Sequence, residues 1–180
     1  MRNSRTSPRV LQDTTPRVYA ACLAAYNGGR LHGKWIDCDQ DADAIREAIQ
    51  AMLKASPEPE AEEWAFHDHE NWEGLAPSES QDIDTLAEWA ELLREHGEAF
   101  GVYASLIGSD YVTAEQFEEA FAGEAESEEA FAEDIFFECH QVPDEIATYI
   151  DVHAYARDLF CTDYMSDRGH SGTLYIFRNI

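Results

Sequence analysis

A run of acidic side chains between residues 115 and 138 limits how this part of the chain can fold. Ten of its 24 residues are Asp or Glu, and none is Lys or Arg. Like charges four residues apart weaken a helix by about 0.2–0.5 kcal/mol per pair. The run can therefore be helical only if its apolar residues pack against the rest of the protein while its acids face outward. Three roles would explain such a face: solvation, cation binding, or imitation of another molecule.

The net charge of the chain points to a basic partner. The sequence has 37 acids against 12 bases, a formal charge of −25, and residues 35–160 alone hold 34 acids and four bases. A surface of this sign repels nucleic acid and anionic membranes. The aromatic content of 12% is too high for an intrinsically disordered chain of this charge, so we expect a folded protein.

The sequence also bears on where the protein works. It has no apolar run long enough to cross a membrane, and its start, "MRNSRTSPRVLQDTTP", lacks the apolar region of a secretory signal. The four cysteines show no CxxC spacing and are expected as reduced thiols. We therefore expect a cytoplasmic protein whose residues 1–15 form a basic, mobile tail.

Residues 16–70 are predicted to form a small N-terminal α+β domain. The segment "VYAACLAAY" is predicted as a strand, "NGG" as a turn and "RLHGKWIDC" as a second strand. A helix follows, because apolar residues recur at i, i+4, i+7 and i+8, and "EEWAFHDHE" is predicted as a third strand. The apolar positions of the helix are Ile45, Ile49, Met52 and Leu53.

Residues 71–108 are predicted to form a helical middle domain. The segment "DIDTLAEWAELLREH" predicts a helix that ends at Gly97, and "EAFGVYASLI" predicts a second one. The first helix is expected to bury Ile83, Leu86, Ala90 and Leu93.

Residues 109–180 are predicted to form a C-terminal α+β domain. Thr113, in a capping box with Gln116, and Ser127 are the expected N-caps of helices 113–122 and 127–139. Pro143 is expected at the first position of another helix, and "GTLYIF" as a final strand. The side chains expected to face inward on the last two helices are Phe131, Ile135, Cys139, Ile146, Tyr149, Ile150 and His153.

The outward faces of the helices at 81–96, 113–122 and 127–139 carry many carboxylates. Carboxylates four residues apart lie about 6 Å apart along a helix axis. A face that served only solubility would usually include lysine, and the second and third of these faces have none. We predict that these acids bind a basic partner: Asp84, Glu88, Glu91, Glu95, Glu115, Glu118, Glu119, Glu128, Glu129, Glu133, Asp134 and Glu138.

Metal and catalytic sites are only weakly indicated. Four Asp residues between positions 37 and 43 alternate as in an EF-hand, but Ala42 and Ala48 stand where that loop requires glycine and glutamate. His67 and His69 share one side of a predicted strand, without a third ligand at a recognisable spacing. There is no nucleophile elbow, P-loop or dinucleotide motif. We expect no metal, no cofactor and no catalysis.

Imitation of nucleic acid is the most economical interpretation of the acidic faces. B-DNA carries one negative charge per about 1.7 Å of its axis, and proteins bind it with Lys and Arg. Carboxylates fixed along rigid helices offer a basic groove a comparable row of charges. Repulsion among these acids lowers the folding stability of the free protein. Binding to a basic partner would relieve this repulsion and so be more favourable. Solvation alone and a calcium site remain the alternatives.

Three segments of the chain resemble the ArdA family of antirestriction proteins. They are "PRVYAACLAAYNGGRLHGKWIDCDQDADAIREAIQAML", "EEWAFHDHENW" and "VPDEIATYIDVHAYARDL". The resemblance implies an elongated, bent chain of three small domains that dimerises through the C-terminal one. It also implies a mimic of B-DNA, carried by mobile genetic elements, that inhibits type I restriction–modification enzymes.

The resemblance further implies which protein is bound and which residues serve antirestriction and dimerisation. The partner would be the methyltransferase core, which consists of specificity and modification subunits. Restriction would be inhibited, and the extent to which methylation is inhibited stays open. No nucleic acid, membrane or cofactor would be bound. After Leu159 the sequence departs from the family pattern. The positions carried over as the antirestriction and dimer region are Val142, Pro143, Tyr149, Ile150, Asp151, Tyr155, Arg157 and Asp158.

Two other interpretations stay open. The eight carried-over residues would also suit a purely structural role, as a capped helix with an apolar face. The acidic surface would equally suit an adaptor or inhibitor that binds some other basic DNA-binding protein.

Overall fold

The computed structural model describes residues 14–109 and 112–180, which fold into helices around two small sheets. The described residues form eight helices and two antiparallel sheets of three strands each. The predicted mixed α+β class is therefore confirmed. The domain boundaries at 16–70, 71–108 and 109–180 and the elongated shape stay predictions. Most of the predicted tail, residues 1–13, lies outside the described residues.

The first sheet is built on β1 (Arg17–Cys22). It pairs on one side with β2 (Gly33–Asp37) and on the other with β3 (Trp64–Glu70), so that the strand order is β2-β1-β3. The helix α2 (Ala42–Lys54) contacts both β1 and β2. Its predicted apolar positions are confirmed as buried: Ile45, Ile49, Met52 and Leu53.

The connection between β1 and β2 differs from the tight hairpin that the sequence predicts. The strand stops at Cys22, and α1 (Leu23–Asn27) follows before the glycine pair. Its alanines favour a helical turn, and Ala25 is fully buried there. The two strands still pair antiparallel, from Arg17 opposite Asp37 to Ala21 opposite Gly33.

The two middle helices are confirmed. They are α3 (Ile83–His96) and α4 (Glu98–Ile107), and they meet at Gly97, which has a φ of 57°. On α3 the buried set is Leu86, Trp89, Ala90, Leu92 and Leu93, while Ile83 is half-buried.

The C-terminal part contains the second sheet, whose order is β4-β6-β5. The central strand β6 is the predicted "GTLYIF" strand, and four of its five residues are buried. The elements in chain order are α5 (Ala114–Ala120), β4 (Phe121–Ala125), α6 (Glu128–Cys139), α7 (Asp144–Ala147), α8 (Val152–Thr162), β5 (Tyr164–Arg168) and β6 (Leu174–Arg178).

The prediction of a helix through residue 122 was wrong at its end. α5 stops at Ala120, and the next five residues form β4, with Phe121 opposite Phe177 and Gly123 opposite Ile176. The pairing of β4 with a distant strand outweighs the local helical pattern. β5 was not predicted either.

The prediction of a buried helix from Pro143 was also wrong. Pro143 is the N-cap of α7, which has only four residues and is too short to bury a face. Ile146 and Tyr149 are 50% and 84% exposed rather than inward. Cys139, predicted as inward on α6, is exposed as well.

One hydrophobic core runs through both sheets. It extends from Val18 on β1, through α3 and α4, to Phe177 on β6. The ring of Phe117 contacts those of Phe100, Tyr103 and Phe177, at centroid distances of 5.5, 5.7 and 6.3 Å. A second, smaller cluster between α6 and α8 contains Ala132, Ala156 and Leu159.

The environments of the four thiols predict two classes of reactivity. Cys22 and Cys38 are buried, and Cys139 and Cys161 are exposed. Burial raises the pKa of the Cys38 thiol to about 12, so it stays protonated and unreactive at neutral pH. We expect Ellman's reagent at about pH 8 to label two thiols rapidly in the folded protein and all four in denaturant. A double variant, Cys139→Ser with Cys161→Ser, should lose the fast phase, and four fast thiols in the folded protein would contradict this assignment.

Candidate partner-binding surface

The twelve acids predicted to bind a partner all lie on the surface, in three groups. We call them the α3 ladder, the α5 face and the α6 face. The α3 ladder is Asp84, Glu88, Glu91 and Glu95, the α5 face is Glu115, Glu118 and Glu119, and the α6 face is Glu128, Glu129, Glu133, Asp134 and Glu138.

The α3 ladder is straight but partly neutralised. Its members stand at i, i+4, i+7 and i+11, which places them on one side of the helix over about 16 Å. Arg94 lies beside two of them, with Nη2 3.5 Å from Glu91 Oε1 and 3.7 Å from Glu95 Oε1. Arg46 of α2 binds Asp84. This group therefore presents less net charge than its four carboxylates suggest.

The α5 and α6 faces carry uncompensated charge. Within the described part of the chain, no Lys or Arg side chain forms an ion pair with any of their eight carboxylates. Arg178 approaches α5, but its Nη1 donates to the backbone carbonyls of Glu119 and Phe121, at 3.3 and 3.4 Å. Rows of carboxylates without a Lys or Arg partner are what a basic groove would bind.

Two side chains contact the α6 face at its first turn. Ser166 Oγ donates to Glu128 Oε1 at 2.7 Å, and His153 Nδ1 lies 3.3 Å from Glu129 Oε1. The pKa of Glu129 is lowered, first by its own backbone N–H and then by His153. Its carboxylate therefore keeps its charge as pH falls further than an ordinary glutamate does.

Side-chain caps fix the ends of these helices. The Asp82 carboxylate accepts from Thr85 N at 3.1 Å, Thr113 Oγ1 from Gln116 N at 3.2 Å, and Ser127 Oγ from Ala130 N at 3.1 Å. Each such cap contributes about 1 kcal/mol. The predicted N-caps Thr113 and Ser127 are confirmed. The capping box differs in one bond, because the Gln116 side-chain oxygen accepts from the Thr113 hydroxyl instead of from the Thr113 backbone N–H. The caps offset part of the repulsion among the acids.

The eight residues carried over between 142 and 158 differ in their contacts and burial. Asp151 caps α8, accepting from Ala154 N at 3.0 Å, and the Tyr155 ring packs on Phe136 at 5.1 Å. Arg157 Nη2 binds the neighbouring Asp158 at 2.9 Å. Val142 and Ile150 are half-buried, Pro143 is exposed, and Tyr149 projects into solvent. A structural role accounts for Asp151 and Tyr155, and none accounts for Tyr149.

Among the described residues, neither metal candidate of the sequence belongs to a group of three ligands, and the structure brings a different cluster together. His67 and His69 are exposed on β3, and the His67 ring packs edge-on against Tyr26 at 4.7 Å. The alternating Asp residues span the end of β2 and the start of α2 rather than one loop. Glu73, Glu98 and His170 bring ligand atoms within 4.8 Å of one another. Sequence reasoning missed this cluster because its members are far apart in the chain and match no motif.

Comparison with known proteins identifies a family to which the chain is similar. The family model described as Antirestriction protein (ArdA) matches residues 18–171. A comparison with curated proteins finds no match to the chain. The family match includes all three acidic groups and the segment from 142 to 158, and it leaves the N-terminal 17 residues outside. Among the described residues, no helix is both long and apolar enough to span a membrane.

Proposed function

Because the chain belongs to the ArdA family of antirestriction proteins, we propose that it inhibits type I restriction–modification enzymes by mimicking B-DNA. It occupies the DNA-binding groove of the core formed by the specificity and modification subunits. Restriction is blocked in this way, and methylation is blocked to the extent that it needs the same groove.

The uncompensated α5 and α6 faces carry this proposal. Their eight exposed carboxylates stand on two helices with side-chain caps and have no Lys or Arg partner within the described residues. Successive members four residues apart are about 6 Å apart along the axis, a spacing set by the backbone. A groove that holds DNA through Lys and Arg releases counterions when it binds such a row, as it does with phosphates.

The protein acts as a homodimer in the cytoplasm, without a cofactor and without catalysing a reaction. The family membership supports this part of the proposal, together with the apolar side chains left exposed near the C-terminal helices. Phe137, Ile146 and Tyr149 are 38%, 50% and 84% exposed. We propose that these three side chains belong to the dimer contact, because a contiguous exposed apolar patch is typical of protein–protein contacts.

The test is a competition experiment at two salt concentrations. Labelled duplex DNA bound to a type I methyltransferase core is titrated with the protein at about 50 mM and about 200 mM salt. We expect one dimer to displace the duplex from each core, with weaker displacement at the higher salt because the attraction is screened. A folded dimer that displaces no DNA would contradict the proposal.

A second candidate function uses the same surface. An adaptor or inhibitor of another basic DNA-binding protein would need the same uncompensated carboxylates. It would fail the competition with the methyltransferase core and would instead bind a different basic protein in a salt-dependent manner. The exposed acids support both candidates, and the family membership favours the first.

A further inference from the structure

Two carboxylates and an imidazole from distant parts of the chain meet at one place in the fold. Glu73 follows β3 of the first sheet, Glu98 is the first residue of α4, and His170 lies in the turn between β5 and β6 of the second sheet. Each residue offers one ligand atom, and these atoms all lie within 4.8 Å of one another. We call these three residues the carboxylate–imidazole cluster.

The two carboxylates of this cluster have no Lys or Arg partner within the described part of the chain. His170 Nδ1 lies 2.7 Å from Glu98 Oε1, and His170 Nε2 lies 3.2 Å from Glu73 Oε2. Arg94 lines the same cavity, but it is engaged with Asp39 at 3.1 Å. Two negative charges therefore share a single imidazole. Carboxylates this close repel each other, and a cation between them would remove the repulsion.

One ligand oxygen of the cluster is buried without a hydrogen bond. The Glu73 side chain is 25% exposed, but its Oε2 atom is buried and accepts no hydrogen bond from the described residues. His170 Nε2 approaches this oxygen without the alignment that a hydrogen bond requires. A buried charged oxygen without a donor is costly. This atom therefore points to a ligand that the described side chains do not supply.

Hydrogen bonds orient the Glu98 carboxylate and leave one of its acceptor positions open. Its Oε1 accepts from Ser171 N at 3.0 Å, and its Oε2 accepts from the hydroxyls of Ser171 and Tyr175 at 2.5 and 3.3 Å. A carboxylate has about four acceptor positions, so one remains on Oε1, on the atom nearest His170. Carboxylates that bind metals are typically held by such outer hydrogen bonds.

The backbone is held against the cluster, whereas the imidazole has room to turn. A Cβ on Gly169 would overlap the Glu98 carboxylate, so only glycine lets the β5–β6 turn come this close. The His170 side chain is 73% exposed, and all three residues line a cavity of about 410 Å³. This cavity has space for an ion and for a water molecule as a further ligand.

We propose that Glu73, Glu98 and His170 bind one divalent transition-metal ion of the Zn²⁺ type, which joins the loop after β3 to the β5–β6 turn. The donor atoms decide the class of ion, because Ca²⁺ and Mg²⁺ take oxygen ligands whereas Zn²⁺ binds imidazole nitrogen together with carboxylate oxygen. A tetrahedral Zn²⁺ ion with bonds of about 2.0–2.2 Å holds its ligand atoms about 3.4 Å apart. Atoms within 4.8 Å of one another reach this spacing by small movements, which the exposed ring can supply.

The ion is structural and takes part in no reaction. It cross-links three parts of the chain, so its binding stabilises the folded state. The expectation of no metal rested on motifs of neighbouring residues, and these donors come from three separate segments. The proposed site uses none of the acids of the α5 and α6 faces and does not depend on the proposed function.

Binding of Zn²⁺ to the full chain tests the proposal. The parent for this experiment carries Cys139→Ser and Cys161→Ser, because exposed thiols also bind Zn²⁺. Excess Mg²⁺ is present to occupy the other surface carboxylates. After treatment with a chelator and its removal, we expect calorimetric titration to show one Zn²⁺ ion per chain. The Tm should rise by about 5–10 °C at a free Zn²⁺ concentration of about 100 Kd.

Two variants of this parent each remove one ligand. Glu73→Gln and His170→Gln should bind Zn²⁺ at least about tenfold more weakly, which corresponds to the loss of about 1.4 kcal/mol of binding free energy. Most of the rise in Tm should be lost with it. The matched control carries His67→Gln and His69→Gln, at the exposed histidine pair of β3, and should bind Zn²⁺ as the parent does.

Two results would overturn the proposal. One is a parent chain that is folded by circular dichroism and shows neither a calorimetric signal nor a change of Tm with Zn²⁺. The other is a response of folded His170→Gln equal to that of the parent, which would mean that the ion binds elsewhere on the acidic surface. Loss of the response in the His67 and His69 control, with His170→Gln unaffected, would assign the ion to β3 and overturn the proposal in the same way.

Discussion

Replacing the eight acids of the α5 and α6 faces with their amides is expected to weaken displacement of DNA from a type I methyltransferase core by about 100-fold. Each exposed charge pair contributes only about 0.2–1 kcal/mol. Eight contributions near the lower end of this range sum to about 3 kcal/mol, and each 1.4 kcal/mol is a factor of ten in affinity. Any single Glu→Gln change should alter the affinity by less than about threefold. The competition experiment described above measures both effects.

The same eightfold variant should be more stable than the wild type. Glu115 and Glu119, Glu129 and Glu133, and Asp134 and Glu138 are like-charge pairs four residues apart, and such pairs destabilise a helix. Loss of inhibition together with a raised Tm would separate a binding role of the acids from a folding role. Loss of both would indicate that the variant is misfolded.

A charge-conserving variant is the matched control. Exchanging Glu for Asp, and Asp134 for Glu, at the same eight positions keeps every charge and changes only side-chain length. We expect near-wild-type displacement once circular dichroism shows that α5 and α6 are intact. A loss as large as that of the amide variant would mean that shape rather than charge is recognised. One amide substitution that abolished displacement by a folded dimer would contradict distributed mimicry.

The Gly101→Ala substitution is expected to be the most destabilising small change in the described core, at about 3 kcal/mol. The added Cβ would lie 2.0 Å from the carbonyl oxygen of Glu73 and 2.9 Å from its carbonyl carbon. Both are backbone atoms, so no rotamer change can relieve the overlap. Either α4 or the loop after β3 has to move.

Denaturant unfolding measures this effect against a glycine that tolerates a methyl group. Gly28 has an ordinary φ of −79°, and its nearest contact to an added Cβ is 3.3 Å from Ala25 O. Gly28→Ala should therefore change the free energy of unfolding by less than about 1 kcal/mol. Equal stability of the two variants would show that the loop does not approach α4 as closely as the structure has it.

Local pattern made part of this fold predictable. The apolar spacing of α2 and the Thr113 and Ser127 caps act over one or two turns, and the sequence located them correctly. The exposure of all twelve predicted acids follows from the same periodicity, because the opposite faces of those helices carry the apolar residues. The family resemblance, which the family match confirms, also rested on local segments.

Long-range pairing made the rest unpredictable. β4 forms through pairing with β6, in which Gly123 lies opposite Ile176. The cluster of Glu73, Glu98 and His170 likewise brings together residues from three distant parts of the chain. The neutralisation of the α3 ladder likewise depends on Arg46, which comes from another helix. Nothing in the neighbouring sequence specifies these contacts. The sequence analysis predicted the same role for the acids of α3 and α6, and their ion pairing differs in the folded chain.

The strand order of the second sheet also constrains how the protein is made. Within the described residues β4 pairs only with β6, and the chain between them runs from Ala125 to Leu174. During translation β4 is made well before β6. In this interval the acidic segment has no strand with which to pair. A newly made segment that is apolar on one face would ordinarily be prone to aggregate during this interval. Its dense negative charge repels like-charged chains, and this repulsion opposes aggregation until β6 has been made.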